Sequence, residues 1–288
     1  MPEHSLDELR QRIDEIDDAI HDLLMKRADV VGHVASAKGI SRLELPIRPS
    51  REANMLRRLA ARHKGPFPFE ALARIWSEMI AAFTQIQADY TIAVFVDEDH
   101  QSMWDLARDQ FGAQTPILPI HSTRDALDQV FENKVGVAVL PAPTSENPHP
   151  WWTSLCVADA PKVISKLPFA GVGNLRGTPM TALAVAKLPS EPTGKDHTLM
   201  VIETNDPLSR HALHEIIKKA NLKLKFTTSV QEEEPWMHLV EVDDFVQAND
   251  PRLKLISAPD VVQRVHIIGS YAEVLSKDDF KEDTHKKE

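Results

Sequence analysis

Residues 5 to 39 read SLDELRQRIDEIDDAIHDLLMKRADVVGHVASAKG, and no other stretch limits the fold as much. Leu6, Leu9, Ile13, Ile16, Ile20, Leu23, Val30, Val34 and Ala37 follow one another at intervals of mostly three and four. That spacing predicts one long helix with an apolar seam along one side. The seam has a gap, and Arg27 fills it. An arginine where a leucine is expected either snorkels to water or meets an anion.

The positions of the neighbouring cations turn this into geometry. At about 100° and 1.5 Å per residue, Arg27 and Lys38 point the same way, roughly 16 Å apart along the axis. Two long cationic side chains leaning in from there span one small dianion. Arg10 lies roughly 25 Å from Arg27 and about 40 Å from Lys38. It serves the same ligand only if another copy of the chain brings it there, which predicts a homodimer with Arg10 contributed across the interface. Taken singly, each of these residues also reads as a solvated surface cation; the combination carries the argument.

A length of 288 residues suggests about two domains. The formal net charge of −10 leaves no basic surplus for neutralising phosphates, so a nucleic-acid partner is not expected. The cations look concentrated in the first 75 residues, as suits a local anion site inside an acidic protein. The one cysteine, Cys156, excludes an intrachain disulfide and sits in an apolar run, where it reads as an inert core thiol. Glu3 and Asp7 flank no apolar run at the amino terminus, and no segment reaches membrane-spanning length. The expected place is the cytoplasm, with no membrane partner.

Along the chain, Gly39, Pro46 and Pro49 mark a stop and a connection. A second helix is predicted from Ser50, as N-cap, to His63, with Arg51 and Glu52 in its first turn. The helix dipole alone is a sufficient reason for Glu52 there. A third helix is predicted from Phe69 to Ala88, with Phe69, Leu72, Trp76, Met79 and Phe83 as its stripe. Gln87 takes the next position of that stripe, either as a ligand contact or in an interhelical bond. From Tyr90 strands and helices alternate, which predicts an open parallel α/β layer. Residues 188–197 read as a linker. The strand–helix–strand–strand order beyond it predicts a small α+β unit.

No histidine pair has zinc-helix spacing, and there is no GxGxxG or phosphate-binding loop. What remains is Arg10, Arg27, Lys38, Arg51, Glu52 and Gln87: fixed cations with one carboxylate and one amide. Such a set holds a dianion and stabilises developing negative charge, with no obvious nucleophile.

The segment LRQRIDEIDDAIHDLLMKR, then Lys38, then RPSRE at Arg48 to Glu52, resembles the all-helical chorismate mutase family. The resemblance implies a dimer of three-helix chains acting on chorismate. Arg27 would grip a substrate carboxylate, and Arg10 would reach in from the partner subunit. Lys38 and Gln87 would hydrogen-bond the ether oxygen, Glu52 would meet the ring hydroxyl, and Arg51 would lie beside it. The implied reaction, chorismate to prephenate, is a pericyclic rearrangement that needs no cofactor and no metal. It belongs to the branch leading to phenylalanine and tyrosine. Two positions depart from the family pattern: Arg48 stands where an acid is usual, and Phe83 where a small hydroxyl residue is usual. Both imply weaker substrate contacts and slower turnover.

The rest resembles a prephenate dehydratase followed by an ACT-like regulatory domain, in degenerate form. In GVAVLPAPTS, Pro141 and Ser145 match a Pro-Ile-Glu-Asn-Ser segment, while Pro143 and Thr144 replace its acid and amide. In TALAV, Thr181 matches a Thr-Arg-Phe strand, while Ala182 and Leu183 replace its arginine and aromatic. DPLSRHAL and HIIGSY resemble the effector loop and last strand of an ACT-like domain, which implies an aromatic amino acid effector. The expected fold class is thus multidomain, α plus α/β: a three-helix, dimerising mutase domain over 1–90, a truncated dehydratase-like α/β domain over 91–187, an α+β ACT-like domain over 198–275 and a disordered tail over 276–288. Two other functions fit this sequence: a working bifunctional mutase–dehydratase, and a regulatory or binding protein whose mutase site has decayed.

Overall fold

A computed structural model describes residues 5–38, 45–98, 101–171, 180–231 and 235–280, with the backbone alone for 35–38. Helix α1 spans Leu6–Lys38. Its start is fixed by a reciprocal cap: the Glu8 amide donates to Ser5 Oγ at 3.2 Å, and the Ser5 amide donates to Glu8 Oε2 at 2.9 Å. Helix α2 spans Pro49–Arg62 and helix α3 spans Phe69–Gln87. The expected Ser50 cap is not formed. Arg48 holds the N-cap position without a side-chain bond, because Pro49 supplies the first turn. The Ser50 hydroxyl donates instead to the Glu191 carbonyl at 3.1 Å.

The strands among the described residues make one sheet of nine. They are β1 (Ile92–Phe95), β2 (Ile117–Ile120), β3 (Val137–Pro141), β4 (Lys162–Leu167), β5 (Ala182–Ala186), β6 (Asp196–Thr204), β7 (Leu224–Val230), β8 (Trp236–Val242) and β9 (Val262–Ala272). Their order is β2-β1-β3-β5-β4-β9-β6-β8-β7. The first three strands are parallel, joined through α4 (Ser102–Phe111) and α5 (Thr123–Phe131). The parallel layer expected from alternation ends there, since β5 runs antiparallel to both β3 and β4. β6 to β9 form the α+β part, with α6 (Arg210–Lys219) and the short α7 (Leu253–Ile256). Its sheet pairs are antiparallel.

The two expected units meet at one register point, Val163 opposite Gly269 in parallel β4 and β9. A Cβ on Gly269 would lie 2.3 Å from the Val163 carbonyl oxygen. The absence of a side chain is what lets these strands approach. The proline-rich loop after β3 holds a 3₁₀ turn, Pro150–Leu155, that buries Trp151 and Trp152.

Helices α2 and α3 share a core with the end of the chain: Leu56, Phe69 and Ala73 pack with Phe169, Leu275 and Phe280. The expected disordered tail is therefore wrong for its first residues. Ser276 caps a turn with Asp279, and Phe280 stacks on Phe69 at 4.7 Å. Residues 281–288 lie outside the described part. The linker of 188–197 is also packed. Arg57 of α2 donates to Thr193 Oγ1 at 2.7 Å, to the Lys195 carbonyl at 2.7 Å and to the Glu273 carbonyl at 2.9 Å. No described helix is long and apolar enough to cross a membrane.

Along α1 the seam is uncovered. Leu6, Ile13 and Leu23 are 62%, 57% and 64% exposed. The helix meets α3 only in its later turns, where Arg27, Val31 and Val34 face the cleft described next.

Candidate active site

Three helices and one loop enclose a cleft of about 240 Å³. Helix α1 supplies Arg27, Val30, Val31 and Val34. Pro46 and Arg48 come from the loop before α2, and Arg51, Glu52 and Met55 come from α2 itself. From α3 come Ile80, Phe83, Thr84 and Gln87, positions that share one face at helical spacing.

Arg27 is the centre of this cleft. Its guanidinium lies over the Phe83 ring, 4.4 Å from the centroid. The ring face attracts the cation but offers nothing to the in-plane N–H donors. Nη1 is buried without a hydrogen-bond partner. Burial, and then the charge of Arg51, lower the Arg27 pKa from the ordinary arginine value. A desolvated cation with an unspent donor, pressed by a second cation, is stabilised by an anion in the cleft.

Among the described residues, Glu52 is the only acid lining the cleft. Desolvation raises its pKa from 4.5 to about 7, against a smaller lowering from its backbone bond at Arg48. The carboxyl therefore changes charge near neutrality, unlike an exposed glutamate. Gln87 makes a bond within its own helix rather than an interhelical one. Its Nε2 donates to the Phe83 carbonyl at 3.0 Å, and the amide nitrogen carries a second N–H besides the one in that bond. Thr84 likewise back-bonds to the Ile80 carbonyl, at 2.9 Å.

Arg27, Arg51, Glu52 and Gln87 are thus brought to one cleft. Arg10 is not: it is exposed, seventeen residues earlier on α1, and pairs with Asp7 at 3.4 Å. The side chain of Lys38 lies outside the described residues. Arg48 and Phe83, met in the sequence as departures, both line the cleft. Arg48 is paired with Glu191 of the linker at 3.3 Å, so an acid from the extension answers the cation that replaces one. Thr84 and Ile80 were not singled out in the sequence. The signal for them was the spacing back from Gln87 by three and seven residues, the same helix face.

In the sheet, the two dehydratase-like segments become neighbours. Pro141 pairs in register with Ala182, and the Ala142 amide donates to the Thr181 carbonyl at 3.1 Å. Pro143 and Thr144 on one strand end and Ala182 and Leu183 on the other bring no carboxylate and no guanidinium. Cys156 is half-buried, and burial pushes its thiol up to about 12, which keeps it protonated and inert.

Residues 9–88 match the family model for chorismate mutase type II. A bifunctional chorismate mutase/prephenate dehydratase of Aquifex aeolicus is 31% identical over 144 residues, covering 47% of this chain and 38% of that protein. The protein of the same description from Stutzerimonas stutzeri is 29% identical over 141 residues, covering 48% of this chain and 38% of that one. The chain thus spans about two fifths of the length of these relatives. Among solved structures, a prephenate dehydratase from Arthrobacter aurescens in complex with L-Phe shares 13% identity at a TM-score of 0.47, over 64% of this chain and 90% of that one. At that level the likeness says nothing about chemistry. Every residue of the cleft lies within 9–88, the part of the chain that is similar to chorismate mutase type II.

Proposed function

We propose that the cleft is a chorismate mutase site. The observation that carries this reading is Arg27, a buried guanidinium with an unspent donor, set on Phe83 beside Arg51, Glu52 and Gln87. The substrate is a dianion. Arg27 takes one carboxylate, and Arg10 of the partner subunit takes part from across a dimer. Lys38 and Gln87 face the ether oxygen, and Glu52 meets the ring hydroxyl with Arg51 beside it. One C–O bond of the enolpyruvyl ether breaks as one C–C bond forms, and no proton is transferred. The cleft therefore acts by holding the side chain over the ring and by placing cationic and amide donors where charge grows on oxygen. The uncovered α1 seam supports the dimer, because nine large apolar side chains of one helix stand exposed among the described residues of the single chain.

The sheet region is proposed as a non-catalytic extension with an ACT-like end, responsive to an aromatic amino acid. A second reading, a working dehydratase, is favoured by the names of the relatives. It is opposed by Pro143, Thr144, Ala182 and Leu183, which leave a prephenate carboxylate without a guanidinium there. Phenylpyruvate formation from prephenate by the purified protein would establish the dehydratase.

Loss of chorismate absorbance tests the mutase. The wild type consumes chorismate and forms prephenate, while Arg27→Ala lowers kcat/KM by about 10²–10³. Wild-type protein that leaves chorismate unchanged, or Arg27→Ala as active as the parent, would overturn the reading.

A further inference from the structure

A second group of side chains lies where the sheet meets α2, away from the cleft. His197 of β6 is only 8% exposed, and its Nδ1 is buried without a hydrogen-bond partner. Three carboxylates surround the ring. Glu241 Oε1 and Asp243 Oδ1 lie 3.7 and 3.8 Å from Nδ1, and Glu273 Oε1 lies 3.9 Å from Nε2. These separations are too long for hydrogen bonds. Asp243 and Glu273 face different ring nitrogens, so an ion held at one nitrogen draws the other oxygen in from further away, toward the about 3.4 Å between donors around a tetrahedral zinc ion with bonds of about 2.0–2.1 Å. One ring nitrogen of His197 and one oxygen each of Asp243 and Glu273 lie within 4.8 Å of one another.

The obvious competing account is an ion-pair network, since three lysines stand nearby. Their geometry argues against it. Lys223 and Lys225 meet Asp243 through Oδ2, at 3.2 and 3.9 Å, and Lys166 meets Glu241 through Oε2, at 3.9 Å. Both carboxylates thus turn one oxygen to a lysine and the other to the imidazole. The lysines leave the inner oxygens facing the imidazole. Asp243 and Glu273 are 30% and 43% exposed, so their rotamers have room to close by the about 1 Å that coordination requires.

We propose that His197, Asp243 and Glu273 bind a divalent transition-metal cation of the zinc class, with Glu241 as a neighbouring acid. A buried imidazole nitrogen with carboxylate oxygens is a donor set suited to zinc rather than to calcium or magnesium, which take oxygen ligands. The ligands come from the start of β6, the end of β8 and the end of β9. Binding therefore joins three strand ends. It also fixes Glu273, whose carbonyl accepts the Arg57 bond from α2.

The test uses the full chain after chelator dialysis, titrated calorimetrically with Zn²⁺, with visible absorption of bound Co²⁺ as a second readout. One equivalent is expected. His197→Ala is expected to abolish the Co²⁺ absorption, and Glu273→Gln to weaken Zn²⁺ binding by about tenfold or more. Glu273 is half exposed, so its variant keeps the test valid if His197→Ala fails to fold. No stoichiometric Zn²⁺ binding by the wild type, or binding that Glu273→Gln leaves unchanged, would overturn the proposal.

Discussion

At the scale of single residues, Glu52 and Phe83 carry the most specific consequences. Burial raises the folded Glu52 carboxyl from 4.5 to about 7. Between those values the folded chain keeps a proton that the unfolded chain has lost. This contribution to stability is complete below about pH 4.5 and disappears as pH rises through about 7. Glu52→Gln cannot ionise, so its melting temperature relative to wild type should climb between pH 5 and pH 8. The widening should be worth about 2 kcal/mol, and a flat difference across that range would contradict the burial of this carboxyl. Phe83 has another role, as the face on which Arg27 lies. Phe83→Leu keeps the apolar bulk and removes the ring, so KM for chorismate should rise about 3- to 30-fold with little change in kcat. In the sequence, Phe83 looked like a weakening departure from a family pattern. Its service to Arg27 depends on the meeting of α1 with α3, which no local spacing records.

At the scale of elements, α2 is the piece on which the two halves of the molecule agree. One side carries Arg51, Glu52 and Met55 to the cleft, and another carries Ala53, Leu56 and Arg57 to the sheet and the linker. The three helices were legible because each has a strong 3.6-residue period and clear stops. Gln87 was legible as an anomaly of that period. What was not legible was long-range pairing. Nothing in β3, β4 or β5 alone marks β5 as antiparallel, since all are short buried runs that read alike from either direction. Nor does the region of 188–197 show in composition that Glu191 and Thr193 are held by α2 and its N-cap residue. The join of β4 to β9 is the point where this long-range order is most exposed to test. Gly269→Ala would place a methyl carbon against the backbone of Val163. It should destabilise the protein by about 1–3 kcal/mol or more, read as a lower urea midpoint. An unchanged midpoint would mean that the strands do not approach this closely.

At the scale of the whole molecule, the account depends on a second copy of the chain. Helix α1 is 33 residues long, and its first half is exposed to solvent in the described chain. Arg10 stands on that exposed half, and Arg27 stands in the cleft. A site that uses both must therefore be shared, and sharing can be measured by complementation. Arg10→Ala and Arg27→Ala proteins, each nearly inactive alone, are to be mixed and allowed to exchange subunits. Half of the resulting dimers are mixed, and each mixed dimer has one site with both arginines and one with neither. Chorismate turnover should then recover to about a quarter of the wild-type rate. Recovery at that level would establish a mutase site built from two chains. Two inactive proteins that stay inactive after exchange, or an Arg10→Ala protein that is fully active alone, would contradict it.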